Sequence, residues 1–159
     1  MNKLDISHYV LSTKVLGPFQ RSALWVHGCC FHCDGCIARE MNHQESNYRG
    51  TQELADLFTG VTNVEGITIS GGEPFLQALA LCEMLELMKA KRDYGVIIYT
   101  GYLYENLKNS DELYVRRLLE YTDILIDGQY RKSQDDGKAY RGSSNQRILQ
   151  LSDRYQDVF

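Results

Sequence analysis

The stretch HGCCFHCDGC, residues 27 to 36, holds four of the chain's five cysteines and two of its four histidines. Thiols at this density point to a disulfide, a structural zinc or an iron-sulfur cluster. Cys29, Cys33 and Cys36 form a C-x3-C-x2-C pattern, with Cys30 as an extra thiol between them. A cubic four-iron cluster is normally held by four thiolates, so three would leave one iron without a protein ligand. Structural zinc takes four ligands in a closed site, and Cys30, His27, His32 or His43 could supply the fourth. Spacing alone leaves both metals open.

A second pattern, Gly71-Gly72-Glu73-Pro74, closes the apolar run ITIS. Glycines directly after a strand let the backbone approach a ligand closely or take a positive φ. A residue before proline is driven away from the helical region, so Glu73 is expected in extended geometry at the strand's end. There its carboxylate could accept hydrogen bonds from a ligand's amino group. Equally, Glu73 could cap the following helix, where a negative charge is favourable, and in isolation this plainer reading is preferred.

The elements that must position these groups follow from periodicity. YVLSTKV and ALWVHG read as strands on either side of a Gly17-Pro18 turn. Residues 37 to 50 read as a loop, and Thr51 with QELADLF opens like a capped helix with Glu53 in its first turn. GITIS is a strand. After Pro74, Ala78, Leu81, Met84, Leu85 and Met88 recur at helical spacing up to a basic end. GVIIYT and TDILIDG are further strands, separated by a helical stretch near residues 103 to 120 that breaks at Asn109-Ser110. Strands alternating with amphipathic helices predict an α/β fold with a mainly parallel sheet. Such sheets carry their chemistry at the carboxyl ends of the strands. The cysteines, Gly71-Gly72-Glu73, Thr100-Gly101 and Asp127-Gly128 all fall there. Too few units are present for eight strands, so the expected architecture is an incomplete βα barrel, open on one side.

Composition narrows the function. The 159 residues are read as one domain spanning 1–159, large enough to bury roughly two thirds of its unfolded surface without a metal staple. Seventeen basic against twenty-one acidic residues give a net charge of −4, with Lys and Arg scattered, so no nucleic-acid partner is expected. No apolar run approaches the roughly 20 residues that span a bilayer, and the N-terminus lacks a signal-type hydrophobic region. A cytoplasmic protein with no membrane association is expected. Reducing conditions there favour metal binding or catalysis over disulfides.

Taken together, the two motifs are more specific than either. C-x3-C-x2-C after one strand and GGEP after the next resemble the radical S-adenosylmethionine superfamily. LWVHGCCFHCDGC, ITISGGEP, YTGY, DILIDGQY and RGSSNQR, in this order, are similar to the activating proteins of anaerobic (class III) ribonucleotide reductases, over roughly residues 15 to 150.

The resemblance implies that Cys29, Cys33 and Cys36 bind a [4Fe-4S] cluster and, through it, carry the catalysis. It implies that S-adenosylmethionine chelates the fourth iron through its amino and carboxylate groups. Glu73 and the backbone of Gly71 and Gly72 would hold that amino group. Asp34 and Gly35 would lie along the adenine, while Thr100 and Asp127 would reach the ribose or methionine moiety. Arg141, in RGSSNQR, is placed at a cofactor or partner contact; a polar turn is the plainer reading of that segment. One electron from the cluster would split the cosubstrate into methionine and a 5′-deoxyadenosyl radical. That radical would take a hydrogen from a glycine of the large reductase subunit, with flavodoxin or ferredoxin as electron donor.

Other features have modest readings. Many superfamily members carry an aromatic residue before the third cysteine, where this chain has Gly35, as the reductase activases do. In LGPFQ, Phe19 stands where the family usually has a second glycine, which bears on the turn's geometry. Cys30 is read as a spare thiol and Cys82 as a core hydrophobe. His27 and His32 lie beside the cluster motif, where they could tune its potential or serve as ordinary loop histidines. Two competing functions stand against the activase. One is a radical enzyme acting on a small molecule or ribosomal peptide; the other is a zinc-stabilised binding module without catalysis.

Overall fold

The computed structural model describes residues 2–29, 31 and 45–159. Among them, seven strands form one sheet: β1 Lys3–Thr13, β2 Arg21–Val26, β3 Tyr48–Gly50, β4 Gly66–Gly71, β5 Gly95–Tyr99, β6 Ile124–Asp127 and β7 Arg147–Gln150. Their order is β3-β1-β2-β4-β5-β6-β7. The four central strands, β2, β4, β5 and β6, run parallel. β1, β3 and β7 pair antiparallel at the flanks. The sheet has two separate edges, as the open barrel requires.

Helices α1 Thr51–Thr59, α2 Ala78–Lys89, α3 Tyr104–Lys108 and α4 Leu113–Tyr121 connect the strands, with 3-10 turns at Pro74–Gln77 and Lys132–Gln134. Period-2 alternation sorts the strand residues between two faces. Leu24, Val26, Ile67, Ile69, Val96, Ile98 and Leu125 face the helices and pack with Phe58, Leu81, Met84, Leu85 and Met88. Ile97, Ile124 and Ile126 build a smaller cluster with Tyr155. Each fully buried side chain of this kind contributes about 1.5–3 kcal/mol. Cys82 is one of them, and burial, aided by the Glu86 charge, pushes its thiol up to about 12.

Two local expectations are corrected, and one strand is added. Thr51 does not cap α1: the cap position is Gly50, without a side-chain bond, and the Thr51 hydroxyl donates to Glu83 at 2.9 Å. The predicted loop ends in β3, whose three residues Tyr-Arg-Gly carry no apolar alternation. β7 follows RGSSNQR as an antiparallel edge strand, too short to stand out from the polar segment before it. The Gly17-Pro18 turn forms as expected, but Phe19 takes φ +60° and Leu16 φ +71°. Phe19 therefore adopts a left-handed conformation that glycine would take without strain.

Candidate active site

Backbone pairing continues past the strand ends and zips the two motifs together. The amide of Gly72 donates to the carbonyl of Val26 at 2.9 Å, and the amide of Glu73 donates to Gly28 at 2.8 Å. Gly71 sits at φ +101°, and a Cβ there would meet the Val26 backbone, 2.6 Å from its nitrogen. Only glycine allows the GGE segment to lie this close to the strand that leads to Cys29.

Glu73 is extended, with φ −116° and ψ 105°, as the following proline demands. Its carboxylate is fully buried. Oε2 accepts from the Phe75 amide at 3.0 Å, and Oε1 accepts from the Gly101 amide at 2.7 Å. The Thr100 hydroxyl lies 2.9 and 2.8 Å from the two oxygens. Glu73 is thus both a cap and a group aimed at the carboxyl end of the sheet. All three of these donors are neutral. Burial pushes the carboxyl up to about 7, against the lowering effect of the hydrogen bonds from Phe75, Gly101 and Thr100.

Cys29 is half-buried, and its Sγ accepts from the Phe31 amide at 3.5 Å. Cys33, Cys36, Asp34 and Gly35, together with Cys30 and His32, lie outside the described residues. His27 is held from β1: its Nδ1 lies 3.1 Å from Asp5 Oδ2. Its Nε2 is buried and finds no hydrogen-bond partner among the described residues. Burial alone would raise the Asp5 carboxyl, but the Asn47 amide and the His27 ring outweigh it and hold Asp5 below its ordinary value. Gln77, just past the GGEP turn, donates to the carbonyls of both Asp5 and His27, at 2.9 and 3.2 Å.

Asp127 is fully buried. It accepts from the Tyr104 amide at 2.8 Å, at the start of α3, and from Arg147 Nε at 3.0 Å. Arg147 also grips Glu105 at 2.9 and 2.8 Å, and this bond pulls the Glu105 carboxyl down to about 2. Arg141 pairs with Asp136 at 2.6 Å, while its buried Nε finds no partner among the described residues. In RGSSNQR, Gln146 accepts from the Gly142 and Ser143 amides and donates to Gly128, and Asn145 donates to Gln129. This segment works as a polar turn that pins the loop after β6.

The structure therefore brings Cys29, Gly71, Gly72, Glu73 and Thr100 into one connected end of the sheet, and Asp127 and Arg141 into neighbouring, internally paired clusters. Asp5, Gln77, Phe31 and Tyr102 belong to the same constellation and were not anticipated. No local pattern marks them, because their roles arise from cross-strand register and long-range contact. The donor set fits an iron-sulfur cluster with an amino-acid cosubstrate. The Cys29 thiol and a buried imidazole nitrogen without a partner among the described residues flank Gly28, and the buried Glu73 carboxylate beside them has only neutral donors among those residues.

Comparison with known proteins decides between the metals. Residues 15–149 match the family described as 4Fe-4S single cluster domain. The chain is 34% identical over 143 residues to the anaerobic ribonucleoside-triphosphate reductase-activating protein of Vibrio cholerae, covering 84% of this chain and 90% of that protein. The protein of the same name from Enterobacteria phage T4 is 31% identical over 87% of this chain and 89% of its own length. This chain belongs to the family of anaerobic ribonucleoside-triphosphate reductase-activating proteins.

The activating-protein family carries a [4Fe-4S] cluster and uses S-adenosylmethionine, and its members are oxidoreductases of the radical type. The zinc-module reading is thereby displaced. Escherichia coli K12 has a further activating protein, 29% identical over 86% of this chain and 92% of its own. The crystal structure of QueE from Escherichia coli superposes with a TM-score of 0.56 at 13% identity, over 81% of this chain and 72% of that one. At that identity QueE supports the open α/β fold alone. Among the described residues, no helix is long and apolar enough to cross a membrane.

Proposed function

We propose that this activating protein reductively cleaves S-adenosylmethionine and places a glycyl radical on the large subunit of an anaerobic ribonucleotide reductase. The observation that carries this reading is the backbone union of the two motifs at Gly28 and Glu73. It sets a buried carboxylate beside the cysteine segment.

Cys29, with Cys33 and Cys36, would hold the cluster. When bound, the cluster supplies one electron to the sulfonium, giving methionine and a 5′-deoxyadenosyl radical that abstracts hydrogen from the partner's glycine. The protein's own residues bind, orient and shield. Glu73 receives the cosubstrate's ammonium, and the Gly71 and Gly72 backbone lies close because neither residue has a Cβ. Thr100 acts through Glu73, fixing both carboxylate oxygens. Asp34 and Gly35 flank the adenine. Asp127 and Arg141 serve as outer contacts, Asp127 through the Arg147 guanidinium it orients. Water must be excluded around a radical of this reactivity. An open sheet leaves that task to the docked reductase, which favours a protein substrate over a small molecule. A low-potential flavodoxin or ferredoxin would supply the electron.

The test is anaerobic reconstitution with iron and sulfide, then dithionite and S-adenosylmethionine. About four irons per chain and release of 5′-deoxyadenosine are expected, and a glycyl-type electron paramagnetic resonance doublet should appear once the reductase is added. A reconstituted four-iron protein that makes no 5′-deoxyadenosine would overturn the proposal.

A further inference from the structure

Phe31 lies two residues beyond Cys29, in a segment otherwise made of cysteine, histidine, aspartate and glycine. Its amide donates to Cys29 Sγ at 3.5 Å. Its ring lies directly over Gly101: a Cβ at Gly101 would stand 2.7 Å from both Cδ2 and Cε2 of Phe31. The same ring meets Tyr102 edge to face, with centroids 4.9 Å apart and planes at 72°, an arrangement that aromatic pairs prefer. Gly101 is not among the glycines with positive φ. Its glycine character therefore serves close approach alone.

The opposite side of this turn grips Glu73. The Gly101 amide donates to Oε1 at 2.7 Å, the Thr100 hydroxyl reaches both oxygens, and the Tyr102 amide donates to Thr100 Oγ at 3.1 Å. Residues 100–102 thus hold the carboxylate with their polar atoms and the ring of the cysteine segment with their apolar surface. We infer that Phe31 is a positioning residue that sets the separation between the Cys29 thiol and the Glu73 carboxylate by seating on the Gly101 turn. The inference rests on the function proposed above, in which one cosubstrate molecule must reach both ends. A misplacement of about 1 Å at such a site can lower turnover up to about a hundredfold.

The test compares Phe31→Ala, Phe31→Leu, Gly101→Ala and the double variant Phe31→Ala with Gly101→Ala, all reconstituted anaerobically. Iron content, equilibrium dialysis of labelled S-adenosylmethionine and thermal unfolding of the cluster-free chains are read beside the KM and kcat for 5′-deoxyadenosine release. Phe31→Ala is expected to weaken cosubstrate binding about tenfold and to lower kcat by more, up to about a hundredfold, with iron content and cluster-free unfolding near those of the unsubstituted protein. Phe31→Leu should restore most of the affinity. Gly101→Ala should bind worse than Phe31→Ala, and the double variant better than Gly101→Ala, because removing the ring relieves the clash. Unchanged affinity in Phe31→Ala, or a double variant no better than Gly101→Ala, would overturn the inference. If Phe31→Ala takes up less iron, Phe31→Leu and the double variant decide on affinity per loaded cluster. A failure of the unsubstituted protein to release 5′-deoxyadenosine strikes the proposed function instead.

Discussion

The two ends of the parallel strands each bury a charged side chain, and they treat it in opposite ways. At the amino ends, the wholly buried Arg21 guanidinium donates to Thr68 at 2.7 Å, to the carbonyls of Pro18, Ile67 and Gly95, to Tyr155, and to Glu65 at 3.2 Å. Glu65 is held in turn by Arg154 at 2.7 Å. An arginine has five N–H donors in a fixed fork, and this floor satisfies its charge with a carboxylate and its donors with carbonyls and hydroxyls. At the carboxyl ends, Glu73 is as deeply buried, and its donors among the described residues, the Phe75 and Gly101 amides and the Thr100 hydroxyl, are all neutral. A buried charge without a counterion is costly. Evolution tolerates it where a cationic ligand completes the pair, and the ammonium of the proposed cosubstrate is of that kind. The floor carries its counterion as folded, whereas at the mouth the proposed function assigns that part to the cosubstrate.

Substitutions should separate the two ends. Arg21→Met deprives the Thr68 hydroxyl and the carbonyls of Pro18, Ile67 and Gly95 of the guanidinium's donors, while Glu65 keeps Arg154, and each buried group left unsatisfied is expected to cost about 1–3 kcal/mol of folding free energy. Urea unfolding of the cluster-free chain would show the loss, with cosubstrate affinity per folded molecule unchanged. An equal loss of affinity would mean that the ends are coupled.

The pH dependence of stability addresses the mouth alone. The Glu73 carboxyl is raised from 4.5 to about 7 in the folded chain, so folding favours its neutral form. The resulting stabilisation is full below about pH 4.5 and is lost as pH rises through about 7, a swing of about 3 kcal/mol. Glu73→Gln should flatten that part of the profile in the cluster-free protein. A slope that survives the substitution would assign it to another group.

Glu73→Gln should also reduce cosubstrate binding, roughly a hundredfold, since an amide cannot neutralise an ammonium. Equilibrium dialysis on the loaded protein reads this directly. Thr100→Val has the smallest expected effect. It leaves Glu73 its two backbone donors and removes the hydroxyl's bonds to Glu73 and the Tyr102 amide, for about 0.5–1.5 kcal/mol of stability each and a loss of affinity of several-fold. Thr100→Ser should reverse both, and a serine variant no better than valine would deny the hydroxyl its role.

Much of this division was legible in the sequence. GITIS, GVIIY and ILID announce buried parallel strands because β-branched runs bounded by glycine or aspartate have few other uses. Among the described residues, Gly71, Thr100 and Asp127 stand at the ends of these strands. Cys82 reads as core from its place in a 3.6-residue period. What escaped notice depends on register or distance. Tyr-Arg-Gly of β3 and Arg-Ile-Leu-Gln of β7 are too short and polar to show a period, and they exist because a neighbouring edge offers them hydrogen bonds. The Thr100 bond to Glu73 spans 27 residues, and Asp5 meets His27 only because β1 and β2 run antiparallel. Arg21 looks like an exposed strand residue until Tyr155, at the far end of the chain, covers it. Glu73 was legible from its proline, since one local steric rule fixes its backbone. The neutrality of its described donors was not, since Thr100 and Gly101 reach it from the end of the next strand.

Asp5 also holds the chain on both sides of the cysteine segment. Its carbonyl accepts the His27 amide and its carboxylate the Asn47 amide, while Asn47 in turn accepts from Ile6. Departure and return are thus moored to neighbouring residues of a single strand, independently of whatever the intervening thiols hold. Exposure to air that strips the iron should leave the far-ultraviolet circular dichroism of the sheet unaltered, and refilling with iron and sulfide should restore the chromophore without any unfolding step.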